Sequence, residues 1–228
     1  MTDKEINIHK QHIENVIIKT FEIIEEVYNN QQEINQQEIN ILKVDKSESR
    51  ILFPKKSSPE TTRVSEQELR FVFAEQLKKE IGNGEEWDVY YSVETPTMKK
   101  YLFKDNFPKR DENDGQSANF DLVIHDSNYN RIALIEFKAK NPDIHDYQKD
   151  FVKLTNEQED GELRYFIQIL ENTNSNTDSN VISKIIPTVD KNWMKQWGEH
   201  KVIVHCISLE KGRGNRVVIN FQEYPKSC

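Results

Sequence analysis

Residues 120–140 read FDLVIHDSNYNRIALIEFKAK. Two apolar runs, 120–125 and 131–139, flank SNYN, whose serine and asparagines suit a turn. The runs are therefore expected to be strands joined as an antiparallel hairpin. Strand side chains alternate between faces, so Glu136 and Lys138 share one face while Ala133, Ile135 and Phe137 take the other. A tight turn brings Asp121 on the first strand close to Glu136 across the ladder. Charge inside a run of Ile, Leu and Phe is costly when unpaired. A salt bridge of Lys138 with Glu136 or Asp121 would offset part of that cost. A site that uses the charges is the favoured reading.

Outward from the hairpin the pattern is mixed. Downstream, NPDIHDYQKDFVKLTNE reads as a loop and a helix with Phe151 and Leu154 on one face, and LRYFIQILE as a strand. A polar loop, NTNSNTDSN, follows, then VISKII as a helix or short turn, then strands KVIVHCISLE and RVVINFQEY around KGRGN. Upstream, SEQELRFVFAEQLKKEIGNG is a helix with Ser65 as N-cap, Glu68 completing a capping box and GNG as its stop. DVYYSVETP is a strand closed by its proline, and 97–118 is a basic, aromatic, irregular segment. The order is αβββαβ, then a small helix and two strands. This is an α/β domain with a central mixed sheet, over 59–228.

Ahead of it, 1–58 is expected to be a helical arm and linker. Ile6, Ile13, Ile17 and Ile24, with Val27 or Tyr28, recur at helical spacing over 4–30. NNQQEINQQEIN either prolongs that helix or frays. Residues 51–53 read as a short apolar strand before Pro54 and a Lys, Ser and Pro loop. Two roles stand open for the arm: a helix docked on the domain, or an arm for a homodimer or protein partner.

Two carboxylates and an ammonium at one spot suit metal-assisted phosphodiester hydrolysis. Hard oxygen ligands hold Mg²⁺ (or Mn²⁺), which activates a bound water and offsets phosphate charge. The lysine can hold the scissile phosphate or orient the water.

Asp121 followed by Glu136-Phe137-Lys138 on the next strand, within the order αβββαβ, resembles the PD-(D/E)XK nuclease superfamily, over roughly 63–170. Phe120 stands where the motif's name has proline. The resemblance implies a restriction endonuclease-like core with Asp121 and Glu136 as metal ligands and Lys138 as the catalytic lysine. It also implies a carboxylate from the first core helix. Glu66, Glu68 and Glu75 are the candidates. Leu69, Val72, Phe73, Leu77 and Ile81 form the buried stripe, and Glu66 falls within it while Glu68 and Glu75 point away. Glu66 is therefore chosen, with Arg70 one turn on as its partner. Glu68 is already accounted for by the capping box. Glu94 is read as a solvated strand-end residue in preference to a cleft residue.

Substrate contacts are expected from Lys99, Lys100 and Lys104, on a loop over the cleft mouth, while Gln148, Lys149 and Lys153 either line its rim or form an ordinary solvated helix face. Tyr101, Phe103 and Phe107 among the basic residues either stack on bases or anchor the loop, the latter slightly preferred. His125 and His145 stand alone and are read as structural or exposed.

The chain has 228 residues and a formal net charge of −8, which disfavours a nonspecific nucleic-acid coat but not an enzyme that grips nucleic acid locally. Cys206 and Cys228 offer no Cys-x-x-Cys spacing, so neither a disulfide framework nor a zinc site is expected. The opening MTDKEINIHK lacks the apolar run of a secretory leader, and no stretch is apolar enough to span a bilayer, so a cytoplasmic place is expected. The expected function is a metal-dependent nuclease, DNA favoured over RNA, in defence or repair. The alternative is an inactive nuclease-like module that binds nucleic acid or a protein.

Overall fold

The structure is a computed structural model that describes residues 1–36, 49–54, 63–82, 87–103, 108–171, 183–184, 200–209 and 217–224. It is an α/β arrangement built on a mixed, open sheet. Helices α1 (Asp3–Gln36) and α2 (Glu66–Gly82) precede strands β1 (Tyr90–Leu102), β2 (Lys109–Arg110), β3 (Gln116–His125) and β4 (Arg131–Ala139). Helix α3 (Ile144–Leu154) then leads to β5 (Leu163–Glu171), β6 (Val202–Leu209) and β7 (Val217–Tyr224). The strands lie in the order β2-β1-β3-β4-β5-β6-β7, with β4, β5 and β6 mutually parallel and the other pairs antiparallel.

Alternation along the strands feeds two cores. Leu122, Ile124, Ala133, Ile135, Phe137, Tyr165 and Ile167 face α1 and α2. Val123, Leu134, Phe166, Val204 and Cys206 face Tyr147, Phe151, Val152 and Leu154 of α3. The result is helix, sheet, helix in three layers. Helix α3 starts where Asp143 accepts the amide of Asp146. As expected from parity, Glu136 and Lys138 lie on the α3 side.

Helix α1 docks on the domain. Ile13, Val16, Ile17, Phe21, Ile24, Val27 and Tyr28 are buried in the same core as α2, and each large aliphatic there contributes roughly 1.5–3 kcal/mol by its burial. His12 stacks on Trp87 at 4.7 Å between ring centres and bonds Glu80 at 2.9 Å. Trp87 donates to His9 at 2.8 Å. The helix runs on to Gln36, so the first half of the glutamine-rich repeat does prolong it.

Two local expectations are corrected. Residues 51–53 join no strand; the Phe53 amide and carbonyl are bonded instead by the side chain of Gln31 on α1, at 2.9 and 3.2 Å. Strand β1 does not stop at Pro96 but continues to Leu102. The register shifts between Pro96 and Lys100, and proline is tolerated at such an irregularity because no ladder N–H is needed there. Buried Glu159 fixes the irregular part, accepting the amides of Met98 (2.8 Å) and Lys99 (3.0 Å) and the hydroxyl of Tyr101 (2.8 Å). The expected small helix in VISKII lies outside the described residues apart from Ser183 and Lys184, as do the KGRGN turn and the polar loop. Among the described residues no helix is long and apolar enough to cross a membrane.

Candidate active site at the parting of two strands

The pairing of β3 with β4 ends at Leu122 and Ile135. The next two residues, Asp121 and Glu136, face each other just beyond the last paired rung. The Phe137 amide would lose its ladder acceptor there, and the Asp121 Oδ2 takes it at 2.7 Å. A carboxylate thus stands in for a strand carbonyl, which is why an aspartate can sit in an apolar strand. The Lys153 ammonium, from α3, enters the same gap. It donates to the Asn119 carbonyl at 2.9 Å and pairs with Glu136.

Around this gap the charges alternate. Lys138 reaches Asp150 on α3 at 2.7 Å, and Asp150 also lies 3.4 Å from Lys153. On the opposite flank, Arg70 of α2 pairs with Asp121 and Glu94 and lies 3.8 Å from Glu66. Five carboxylates (Glu66, Glu94, Asp121, Glu136, Asp150) meet three cations (Arg70, Lys138, Lys153), so acids are in excess. Among the described residues no three acidic or imidazole groups are gathered as they stand to hold a metal ion; each site carboxylate is turned onto a cation.

Burial and the excess negative charge both act on the site's acids. Burial pushes the Glu136 carboxyl well above the usual carboxylate range, against the pull of Lys153, and the neighbouring Asp150 and Asp121 push the same way. Burial likewise raises Asp121 over the pull of the Phe137 amide and Arg70. Glu66 is raised by burial against the pull of Lys138. Burial alone would lower Lys138, but Asp150, with Glu66 and Glu136, outweighs it and holds the ammonium charged beyond its ordinary range.

Asp121, Glu136, Lys138 and Glu66, picked from the sequence, are therefore brought to one region. The three helix candidates separate. The Ser65 hydroxyl donates to the Glu68 carboxylate, a side-chain pair in place of the expected backbone-amide bonds, and Glu68 is buried instead of pointing away; Glu75 accepts from Ser49 at 2.9 Å, and Glu66 alone of them meets Arg70. In place of the salt bridge weighed as the alternative within the hairpin, Lys138 pairs with Asp150 and Glu136 with Lys153. Glu94 is more than a solvated strand end. Its side chain is 55% exposed yet holds Arg70, and its backbone takes a left-handed φ of 47° inside β1.

The rim residues part company. Lys153 is buried beneath Glu136, and Gln148 is buried too, because α3 turns both toward the sheet. Lys149 is on the outside, 3.5 Å from Asp146. Lys99 and Lys100 belong to strand β1 and not to a loop, since Glu159 holds that segment extended; Lys104 and Phe107 lie outside the described residues. Tyr101 is an anchor, fully buried against Glu159 and Asn156, with Phe103 stacked on it. His125 bonds Ser92 at 2.8 Å, a structural role.

Asp150 was not singled out from the sequence. The signal was present: Tyr147, Asp150, Phe151 and Leu154 form an i, i+3, i+4, i+7 stripe, so an acid occupies a buried position of α3. No family model, no curated protein and no solved structure matches the chain.

Proposed function

We infer that the chain is a metal-dependent nuclease of the PD-(D/E)XK kind. The observation that carries this reading is the pair Asp121 and Glu136 facing each other where the β3–β4 ladder parts, with Lys138 two residues along the same face. The order α2, β1, β3, β4, α3, β5 around the sheet, with β2 a two-residue addition, supports a restriction endonuclease-like core.

The donor set fits a hard divalent cation. It is all oxygen, partly buried, and its carboxyls are held reluctantly charged by burial and by one another, a strain that Mg²⁺ or Mn²⁺ would relieve. Asp121 and Glu136 would hold the ion, with Glu66 as the third acidic group. Bound there, the metal supplies an activated water and charge stabilisation at phosphorus. Asp121 is kept in place by the Phe137 amide. Lys138 is kept fully protonated by Asp150, so its role is to hold the scissile phosphate or the attacking water as a cation and not to take a proton. Lys99, Lys100 and Lys149 are the outer cations for the phosphate backbone. DNA is the favoured polymer over RNA, defence or repair the setting, and the cytoplasm the place. A homodimer or partner would use the outer side of α1, where Ile8 and Ile18 are exposed.

The second reading is an inactive nuclease-like module that binds nucleic acid or a protein. It is favoured by the mutual neutralisation of Glu136 and Lys153, which resembles a structural pair. Cleavage of plasmid, linear and single-stranded DNA, with an RNA control, separates the two. With Mg²⁺ or Mn²⁺ the wild type should cut, and Glu136→Ala and Lys138→Ala should not. Equal cutting by all three proteins would place any activity elsewhere.

A further inference from the structure

We propose that Arg70 is an internal counter-ion that competes with the divalent cation, and that Glu94 is the group that receives it when the cation binds. The proposal rests on the nuclease reading. Arg70 lies between three carboxylates from three elements: Glu66 one turn earlier on α2, Asp121 on β3 and Glu94 on β1. Two of these, Asp121 and Glu66, are the groups assigned to the metal. A guanidinium on Asp121 and a metal on the same oxygens exclude each other, so loading the site requires Arg70 to leave Asp121.

Three observations give it somewhere to go. Its guanidinium already bridges inward to Asp121, whose side chain is 14% exposed, and outward to Glu94, whose side chain is 55% exposed. Release of one pairing therefore leaves the other intact. Next, Glu94 holds its carboxylate there from a left-handed backbone, a conformation that costs a non-glycine residue roughly 1–2 kcal/mol and is kept only where the surroundings demand it. Last, Arg70 Nε is buried with no hydrogen-bond partner among the described residues, so the resting arrangement leaves a donor unsatisfied. Arg70 neutralises the carboxylates while the site is metal-free, and Glu94 sets how easily it yields.

The test is Mn²⁺ binding, followed by the electron paramagnetic resonance signal of the free ion. Wild type, Arg70→Ala, Arg70→Lys, Glu94→Gln and the double variant Arg70→Ala/Glu94→Gln are compared, each checked for a cooperative melt. Arg70→Ala should bind Mn²⁺ roughly tenfold more tightly, the scale of one charge-assisted contact. Arg70→Lys, which can hold one carboxylate but not span three, should fall between it and the wild type. Glu94→Gln should bind several-fold more weakly, about the scale of one exposed ion pair, and this loss should vanish in the Arg70→Ala background. Saturable binding unchanged or weakened in both Arg70 variants would overturn the proposal and leave the nuclease reading standing. A Glu94→Gln loss that persists without Arg70 would make Glu94 a ligand and also overturn it. No saturable site in any of the proteins would sink the nuclease reading and this proposal together.

Discussion

Two polar clusters border the sheet, one on the α3 side around Glu159 and one where β3 and β4 part, between α3 and α2, and they are built on opposite plans. Around Glu159, every contact completes the fold. Its carboxylate takes two backbone amides of β1 and the Tyr101 hydroxyl; Asn156 donates to the same hydroxyl at 2.9 Å, and Arg164 returns its donors to the carbonyls of Gly161 and Glu159. At the parting of β3 and β4, by contrast, a single backbone amide among the described residues meets the carboxylates, acids outnumber cations, and the outer members open to solvent. The Glu159 cluster uses one acid to satisfy an irregular strand. The strand-parting cluster gathers five acids where the backbone needs one. A surplus of that kind costs stability, and the proposed metal chemistry would account for it where the fold does not call for it.

The largest contrast should appear on removing the two key acids. Glu159→Ala strands two amides and a tyrosine hydroxyl in the interior, and should lower stability by about 3–5 kcal/mol in chemical denaturation. Cleavage per folded molecule should survive that change. Glu136→Gln should do the reverse, abolishing cleavage while leaving stability equal or higher.

Lys153→Met comes next. It leaves the Glu136 carboxylate buried without its cation and should cost about 3 kcal/mol at neutral pH. Adding Glu136→Gln should recover most of the loss, because the pair is then replaced by neutral groups of similar size. A double variant as unstable as the single would show that Lys153 matters for packing or for Asn119, and that the comparison is drawn too sharply.

A smaller effect lies in pH. The folded-state pKa of Glu136 is raised, so its contribution to stability is full below its unfolded value and is lost as pH rises through the folded one. In metal-free protein, the melting temperature of Glu136→Gln relative to the wild type should therefore climb from acid to neutral pH. A difference that shrinks over the same range would mean that Lys153 holds this carboxyl below its ordinary value.

The reach of the sequence follows the same division. Asp121, Glu136 and Lys138 were legible because strand parity and a short hairpin leave few placements for charge in an apolar run. The stripe of α2 picks out Glu66 but misjudges the first turn, where Glu68 is buried and the Glu66 side chain is 33% exposed; what sets Glu66 apart is its contact with Arg70. Glu94 and the run of β1 through Pro96 were not. The first depends on a left-handed residue inside a strand, and the second on Glu159, some sixty positions away along the chain. Lys153 looked like a rim residue because its long stem gives no hint of which side of α3 faces the gap. Asp150 could have corrected that, since it occupies a buried position of the same helix, three residues before Lys153. The parallel joining of β4 to β5 and β5 to β6 also lay beyond a reading of local pattern, because it depends on crossovers and not on neighbouring residues.

The most direct measurement is a calorimetric titration of Mn²⁺ into the wild type, Asp121→Asn, Glu136→Gln and Glu159→Gln at neutral pH. Saturable binding is expected in the wild type and in Glu159→Gln, and its loss in the two strand-parting variants. Binding that survives in both of those variants, or no saturable binding in the wild type, would contradict the claim that the surplus of acids at the parting strands is there to hold a metal.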